Sequence, residues 1–258
     1  ALAASGCDAA NRLSFIDAHP LAALSTGSFS LSLTRRERVY LAGKYCKYSR
    51  VLPQTEFTID GVDRYGSSVH AEIENSVRKV FGMDKSVFSS CGREDINVRM
   101  LGSGRPFILE LVNAKVSNED ALKQCERLHN DSCDIVKISN VMYLTDAQRK
   151  VLTTDHSEFT KTYRAMLWIS GKPLTEDELG TLDKENFMIV QQTPVRVLHR
   201  RTAAGRERNI KAMRCIATPK ANVYALYVVS EAGLYIKELV HGDLGRTTPS
   251  IQSLLPNR

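Results

Sequence analysis

The chain has 258 residues, of which 43% are hydrophobic and 25% are charged, a composition typical of a folded domain with a sizeable core. The net charge of +6 favours a polyanionic partner such as nucleic acid, without proving one. No apolar run reaches the roughly 20 residues that a membrane-spanning helix needs, and the first residues lack the charged-then-apolar order of a secretory signal. We therefore expect no membrane partner.

The cysteines and histidines form no recognisable metal or disulfide pattern. None of the six cysteines forms a CxxC pair or stands at zinc-ribbon spacing, and none of the six histidines forms an HExxH or HxH motif. We therefore expect free thiols in a reducing, intracellular compartment, and no metal. The sequence does not distinguish nucleus, cytoplasm and organelle.

The chain opens on two segments of contrasting composition. Residues 1–33 are rich in Ala and Ser, which predicts a loosely ordered lead-in with one short helix near residues 9–16. Residues 34–55 combine six cations with three tyrosines. Cations neutralise phosphates and tyrosine rings stack on unpaired bases, so this segment is consistent with RNA binding. A solvated edge strand explains the same composition, and both interpretations stay open.

Three helices are predicted from helical spacing and capping residues. The first is capped by Ser67 or Ser68, repeats apolar residues on one face, and ends at Gly82. The other two open at capping patterns, Ser117 with Asp120 and Thr175 with Glu178.

Strand-like runs outnumber the helices, which are inserted singly. Val, Ile, Tyr and Thr are common in these runs, and Gly, Pro or Asn often interrupt them. This order predicts an α+β fold, an antiparallel sheet covered by a few helices. The predicted strands are residues 107–112, 134–141, 160–169, 188–191, 196–199, 212–217, 223–229 and 234–240.

The Gly102-Ser103-Gly104 segment raises the question of a nucleotide-binding loop. It lacks the Gly-Lys-Ser/Thr ending of a P-loop and the third glycine of a dinucleotide fingerprint. A tight hairpin-like turn before the strand at residue 107 is the better prediction.

Asp95 is the carboxylate that the sequence singles out. It follows an apolar run and stands between Arg93 and Arg99, and continued strand alternation places Asp95, Asn97 and Arg99 on one face. A carboxylate near arginine stays ionised, as a nucleophile must. From the residues alone, a structural Asp–Arg pair at a strand end is the favoured interpretation.

Two further side chains lie in unusual settings. Tyr163 alternates with Lys161, Ala165 and Leu167 on one face of a predicted strand, where it either stacks on a base or fills the core. Lys237 falls inside a predicted apolar strand, so its ammonium needs a carboxylate partner or an exposed position at an edge.

Five segments together resemble one enzyme family. "CGREDINVRMLGSGRPF" resembles the catalytic-aspartate motif of pseudouridine synthases, in the version found in the archaeal and eukaryotic tRNA pseudouridine synthases that modify the T-loop. The other four match that family in its order along the chain, which is far more specific than any single motif. They are "GKYCKYSRVLPQT", "KTYRAMLWISGKPLT", "QQTPVRVLHRR" and "YIKELVHGDLGRTTPSIQSLL".

The resemblance implies roles for individual residues. Asp95 is implied as the catalytic aspartate, either a nucleophile or the base that starts glycal formation. Tyr163 is implied as a catalytic residue, the tyrosine that packs against the target base and can assist proton transfer, and Lys237 is implied as the catalytic cation that pairs with Asp95. No metal, nucleotide or redox cofactor is implied. Substrate contacts are expected from Arg50, Arg93, Arg99, Arg105, Ile236 and Leu254.

The resemblance also implies an architecture and a function. We expect the α+β pseudouridine synthase fold, a largely antiparallel mixed sheet flanked by helices, in a catalytic domain over residues 34–258. Its two subdomains should divide near residues 140–160 and enclose a basic cleft. The family usually carries an N-terminal accessory RNA-binding domain with paired cysteines, which has no counterpart in this sequence. A partner chain or that missing domain is therefore expected to help dock the RNA.

The implied activity is isomerisation of uridine to pseudouridine in tRNA, with T-loop uridines as the expected targets. The alternative is a non-catalytic RNA-binding or ribonucleoprotein assembly factor that retains the synthase fold.

Overall fold

The structure is a computed structural model that describes residues 38–154, 160–199 and 201–256. The predicted lead-in and its short helix lie outside these residues. The chain divides into two compact units, Ala1–Asp146 (unit 1) and Ala147–Arg258 (unit 2), and each is described by itself.

Unit 1 is built on a four-stranded antiparallel sheet with the strand order β4-β5-β1-β6. A small ribbon of β2 and β3 stands apart from that sheet. The strands are β1 (Val39–Lys47), β2 (Thr58–Ile59), β3 (Val62–Asp63), β4 (Lys85–Ser90), β5 (Met100–Val112) and β6 (Val136–Leu144), and the helices are α1 (Val69–Phe81) and α2 (Glu119–Ser132).

Helix α1 begins and ends where its sequence predicts. The Ser68 side chain accepts a hydrogen bond from the Ala71 backbone N–H, and Gly82 ends the helix in the left-handed region at φ 60°. Helix α2 differs from its prediction by one position. The Asn118 side chain, rather than that of Ser117, accepts the bond from the Ala121 N–H and serves as the cap.

The core of unit 1 lies between the two helices and one face of the sheet. Both helices bury an apolar stripe there, because their apolar residues recur at helical spacing. The fully buried members include Leu41, Ile73, Phe81, Leu109, Leu111 and Cys125.

Unit 2 is built on a five-stranded antiparallel sheet with the order β11-β8-β9-β10-β7. Thr175 and Glu178 form the predicted capping box at the start of α4. The strands are β7 (Lys161–Trp168), β8 (Lys184–Gln192), β9 (Gly205–Ala217), β10 (Val223–Ser230) and β11 (Thr247–Thr248). The helices are α3 (Asp146–Thr154), α4 (Glu176–Thr181), α5 (Ile236–His241) and α6 (Ile251–Leu254), with a 3-10 turn at Val195–Val197.

Two of the predicted strands are wrong. Residues 196–199 belong to the 3-10 turn at Val195–Val197 and the turn that follows it, and Pro194, which has no N–H for a sheet ladder, directly precedes that 3-10 turn. Residues 234–240 contain most of helix α5, which ends at Gly242 in the left-handed region at φ 75°. A short apolar run suits a buried helix as well as a strand, and periodicity alone does not separate the two.

The α+β prediction is confirmed, since both units combine antiparallel sheets with a few helices. Within the described residues, no helix combines the length and the apolar character that crossing a membrane requires.

Candidate active site

Asp95 lies in a loop between β4 and β5 rather than on a continued strand. The Val98 N–H donates to the Asp95 carbonyl oxygen at 3.0 Å, which closes a turn immediately after Asp95. The expected alternation of Asp95, Asn97 and Arg99 on one strand face is therefore wrong. Asp95 itself is half-buried, whereas Arg93 and Arg99 are exposed.

Glu94, the neighbour of Asp95, is the buried anchor of this loop. Its side chain is 3% exposed and pairs with Arg105, whose Nε lies 3.0 Å from Glu94 Oε2. The Tyr45 hydroxyl donates to both oxygens of the same carboxylate, at 3.0 and 2.9 Å. Burial, with the nearby Glu94 charge, raises the pKa of Tyr45 well above its ordinary value, so the hydroxyl stays a donor.

Gln54 fixes the beginning of the loop. Its amide nitrogen Nε2, which has two N–H donors, lies within hydrogen-bond distance of three acceptors: the Tyr45 hydroxyl at 2.8 Å, Ser90 Oγ at 2.9 Å and the Gly92 carbonyl oxygen at 3.0 Å. One side chain therefore ties the inner strand β1 to the loop that carries Asp95.

Lys47 fixes the middle of the loop from a fully buried position. Its Nζ donates to the carbonyl oxygens of Leu52 at 2.9 Å, Asp95 at 3.2 Å and Ile96 at 3.0 Å. Burial lowers the pKa of Lys47, and the carboxylates of Glu94 and Asp95 partly oppose that shift.

Sequence reasoning counted Lys47 only as one of six cations in the basic segment. The alternation of β1 predicts that Lys47 is buried, because Lys47 lies on the same inward face as Leu41 and Tyr45.

Arg105, an expected substrate contact, lies inside unit 1. The residue is 9% exposed, and besides pairing with Glu94 it donates from NH1 to the Cys91 carbonyl oxygen at 2.6 Å. A guanidinium engaged in this way supports the loop and does not offer itself to solvent.

The Gly-Ser-Gly segment, predicted as a hairpin turn, lies within β5 instead. Strands β1 and β5 pair at Tyr45 with Arg105, and again at Lys47 with Met100. Cys46 of β1 therefore faces four residues of β5, and the segment forms a large irregular bulge.

The second glycine of this bulge has no room for a side chain. Gly104 has φ +80°, and a Cβ there would lie 2.9 Å from the carbonyl oxygen of Tyr45. Gly102 also has a positive φ, +70°, but open space surrounds the position of its Cβ.

The remaining expected contacts of unit 1 are on its surface. Arg50 is exposed, and its NH1 reaches the Asn97 carbonyl oxygen at 3.4 Å, so its guanidinium touches the Asp95 loop. Arg93 and Arg99, within that loop, are exposed as well. Three solvent-accessible cations therefore belong to or contact the loop that holds the half-buried Asp95.

In unit 2, Tyr163 lies on β7 opposite Val228 of β10. It is half-buried and packs against the core of the unit, on the same face as Ala165 and Leu167. The predicted alternation is confirmed.

Lys237 is exposed in the first turn of α5, so the predicted exposure is found on a helix and not on an edge strand. Its neighbour Ile236 is half-buried, as is Leu254 at the end of α6, and both pack against the core of unit 2. Tyr163, Ile236 and Leu254 therefore all pack against the core of unit 2.

The start of α5 is anchored much as the Asp95 loop is. Glu238, which follows Lys237, is 1% exposed and accepts a hydrogen bond from Arg196 Nε at 2.8 Å. The Gln191 side chain binds both backbone groups of Tyr235, accepting from its N–H at 2.9 Å and donating to its carbonyl oxygen at 3.0 Å. Asp95 and Lys237 thus each follow or precede in the chain a buried glutamate that is held by an arginine.

Within the described residues, no group of three or more His, Cys, Asp or Glu side chains is arranged to hold a metal ion. The five cysteines in these residues carry free thiols.

Comparison with known proteins supports the resemblance seen in the motifs. The family described as "Pus10, C-terminal" matches residues 40–258. The chain is 39% identical over 220 residues to the mouse protein "tRNA pseudouridine synthase Pus10", covering 84% of this chain and 41% of that protein. The human protein of the same name is 40% identical over 220 residues, with the same two shares.

An archaeal relative of that name, from Thermofilum pendens, is 33% identical over 222 residues, covering 85% of this chain and 50% of that protein. The chain thus spans half or less of the length of these relatives. The match covers both structural units and all five motif segments, and the chain belongs to the Pus10, C-terminal family.

Proposed function

We propose that this protein isomerises uridine to pseudouridine in tRNA, with T-loop uridines as its targets. The observation that carries the proposal is the loop of Asp95. A half-buried carboxylate stands there beside exposed cations, on a backbone fixed by Gln54, Lys47 and the Glu94–Arg105 pair. The relatives that share this sequence are named tRNA pseudouridine synthases.

The reaction needs few chemical groups. The bond from N1 of uracil to C1′ of ribose breaks, the base turns, and a bond from C5 to C1′ forms, while C5 loses a hydrogen and N1 gains one. Asp95 acts either as the nucleophile or as the base that starts glycal formation. A rigid loop suits both roles, because a well-oriented reacting group lowers the barrier by several kcal/mol.

We assign supporting roles to other residues. Tyr163 is the platform on which the extruded base rests, since a uridine must leave its stack to react. Lys237 is the cation that favours the ionised form of the reacting carboxylate. Ile236 and Leu254 supply apolar contacts to the base. Arg50, Arg93 and Arg99 bind the RNA backbone, because exposed guanidinium groups neutralise phosphates.

Arg105 receives a different role from the one expected. Because it is buried against Glu94, we assign it to the support of the Asp95 loop and not to RNA contact.

The test is tritium release from T-loop RNA labelled at uridine C5, because pseudouridine formation displaces that hydrogen. The wild type should release tritium and Asp95→Asn should not. Equal release by both proteins would show that Asp95 is not the reacting carboxylate. RNA binding without release by the wild type would instead favour the non-catalytic assembly factor.

A further inference from the structure

We propose that Lys47 is a positioning residue for Asp95: its buried ammonium fixes the peptide groups that follow Asp95 and thereby aims the carboxylate. This inference rests on the proposed function for its catalytic consequence, but not for its structural one.

All three donors of the Lys47 ammonium are engaged, two of them by the Asp95 loop. A lysine ammonium has three N–H donors, and Lys47 Nζ has three carbonyl acceptors, on Leu52, Asp95 and Ile96, at 2.9, 3.2 and 3.0 Å. Two of the acceptors are the consecutive carbonyls after the Asp95 side chain. Holding both restricts the backbone rotation that would swing the carboxylate.

The third acceptor links the loop to a second segment. The Leu52 carbonyl belongs to the stretch after β1 that also carries Arg50, and Arg50 reaches the Asn97 carbonyl oxygen at 3.4 Å. Lys47 and Arg50 therefore join the same two segments, one from the interior and one from the surface. A single buried atom thus sets the spacing between the carboxylate and an exposed RNA-binding cation.

Neutralising Glu94 does not account for this lysine. Lys47 Nζ lies 3.9 Å from Glu94 Oε1, farther than from each of its three carbonyl acceptors. Glu94 already has Arg105 at 3.0 Å and two hydrogen bonds from Tyr45. Burying a second cation beside an ion pair carries a desolvation cost. The three hydrogen bonds from Lys47 to backbone carbonyls are the contacts that offset this cost.

The test compares Lys47→Met, which keeps the apolar stem and removes the ammonium, with Val77→Ala, a buried substitution in α1. Both proteins are assayed well below their melting temperatures, in tritium release and in T-loop RNA binding. We expect Lys47→Met to lower kcat about 100-fold, the effect of misplacing a reacting group by about 1 Å, with the RNA Kd changed less than about twofold. Val77→Ala should leave both quantities near wild type.

A second measurement reports on the loop itself. The Val98 N–H donates to the Asp95 carbonyl oxygen, so its hydrogen exchange measures how firmly that carbonyl is held. Exchange at Val98 should speed up at least about tenfold in Lys47→Met and stay unchanged in Val77→Ala. If Lys47→Met does not fold, Lys47→Gln, which keeps two N–H donors, replaces it. Its kcat, RNA Kd and exchange at Val98 are then compared with those of Val77→Ala.

Three results would overturn the proposal: an unchanged kcat, an equal loss of kcat in Val77→Ala at the same melting temperature, or unchanged exchange at Val98. Failure of the proposed function is distinguishable, because the wild type itself would then release no tritium. In that event the exchange at Val98 still tests whether Lys47 holds the loop.

Discussion

The buried Glu94–Arg105 pair should carry a large share of the stability of unit 1. The side chains are 3% and 10% exposed, and the pair is closed by a bond of 3.0 Å from Arg105 Nε to Glu94 Oε2. Glu94→Gln keeps the shape and an oxygen for Tyr45, but it leaves the Arg105 guanidinium buried without its counter-charge. Removing one partner of a buried pair costs about 3–5 kcal/mol, and we expect that loss in the free energy of unfolding.

The matched control is another Glu→Gln change in the same unit. Glu74 pairs with Arg78 at 2.8 Å on the surface of α1, with side chains 19% and 45% exposed. An exposed pair of this kind contributes about 1 kcal/mol or less. The readout is amide exchange of β1 in rising urea, because β1 lies between β5 and β6 in the sheet.

The double substitution sharpens the result. Once Glu94 is neutral, Arg105→Met no longer breaks an ion pair, so the two losses should fall short of additivity by about 2 kcal/mol. The predicted role of the pair is wrong if Glu94→Gln lowers the free energy of unfolding no more than Glu74→Gln does. It is also wrong if the losses of Glu94→Gln and Arg105→Met are additive in the double variant.

Three further predictions follow from particular contacts. Gly104→Ala should cost about 2–3 kcal/mol more than Gly102→Ala, because only the first Cβ meets a strand carbonyl at 2.9 Å; equal melting temperatures would contradict this. Burial raises the pKa of the Cys125 thiol to about 12, and a raised folded pKa means stability that is intact below the unfolded value of about 8.5 and lost as the pH rises toward 12. The free energy of unfolding of the wild type should therefore fall by up to about 1.4 kcal/mol per pH unit more than that of Cys125→Ala in that window. If urea melts give the same pH dependence of this free energy for both proteins, the prediction is wrong. Arg50→Ala should weaken RNA binding and reduce the salt slope of log K by about 1, whereas Lys123→Ala, an exposed change on α2, should do neither in a filter-binding titration.

Local signals predicted those parts of the fold that local contacts decide. The cap at Ser68 and the stop at Gly82 are made within α1 itself, so the sequence pattern contains them. The strand alternation at Tyr163 was equally predictable, because a period of two is a property of the strand.

Two of the misses come from contacts between residues far apart in the chain, and a third from a locally ambiguous pattern. Lys47 looked like one more surface cation until the fold brought it to the Asp95 carbonyl, 48 positions away. The sequence predicts Arg105 as a substrate contact, because only the fold brings the distant Tyr45 to Glu94 and buries the Glu94–Arg105 pair. Lys237 was placed on a strand because a short apolar run does not identify its own secondary structure.

The most direct test of the central claim is to measure pseudouridine in T-loop RNA after incubation with wild type and Asp95→Asn at RNA concentrations that saturate both. We expect conversion by the wild type and a rate lower by at least about 1,000-fold in Asp95→Asn, with RNA affinity retained. Conversion by Asp95→Asn at the wild-type rate would contradict this expectation.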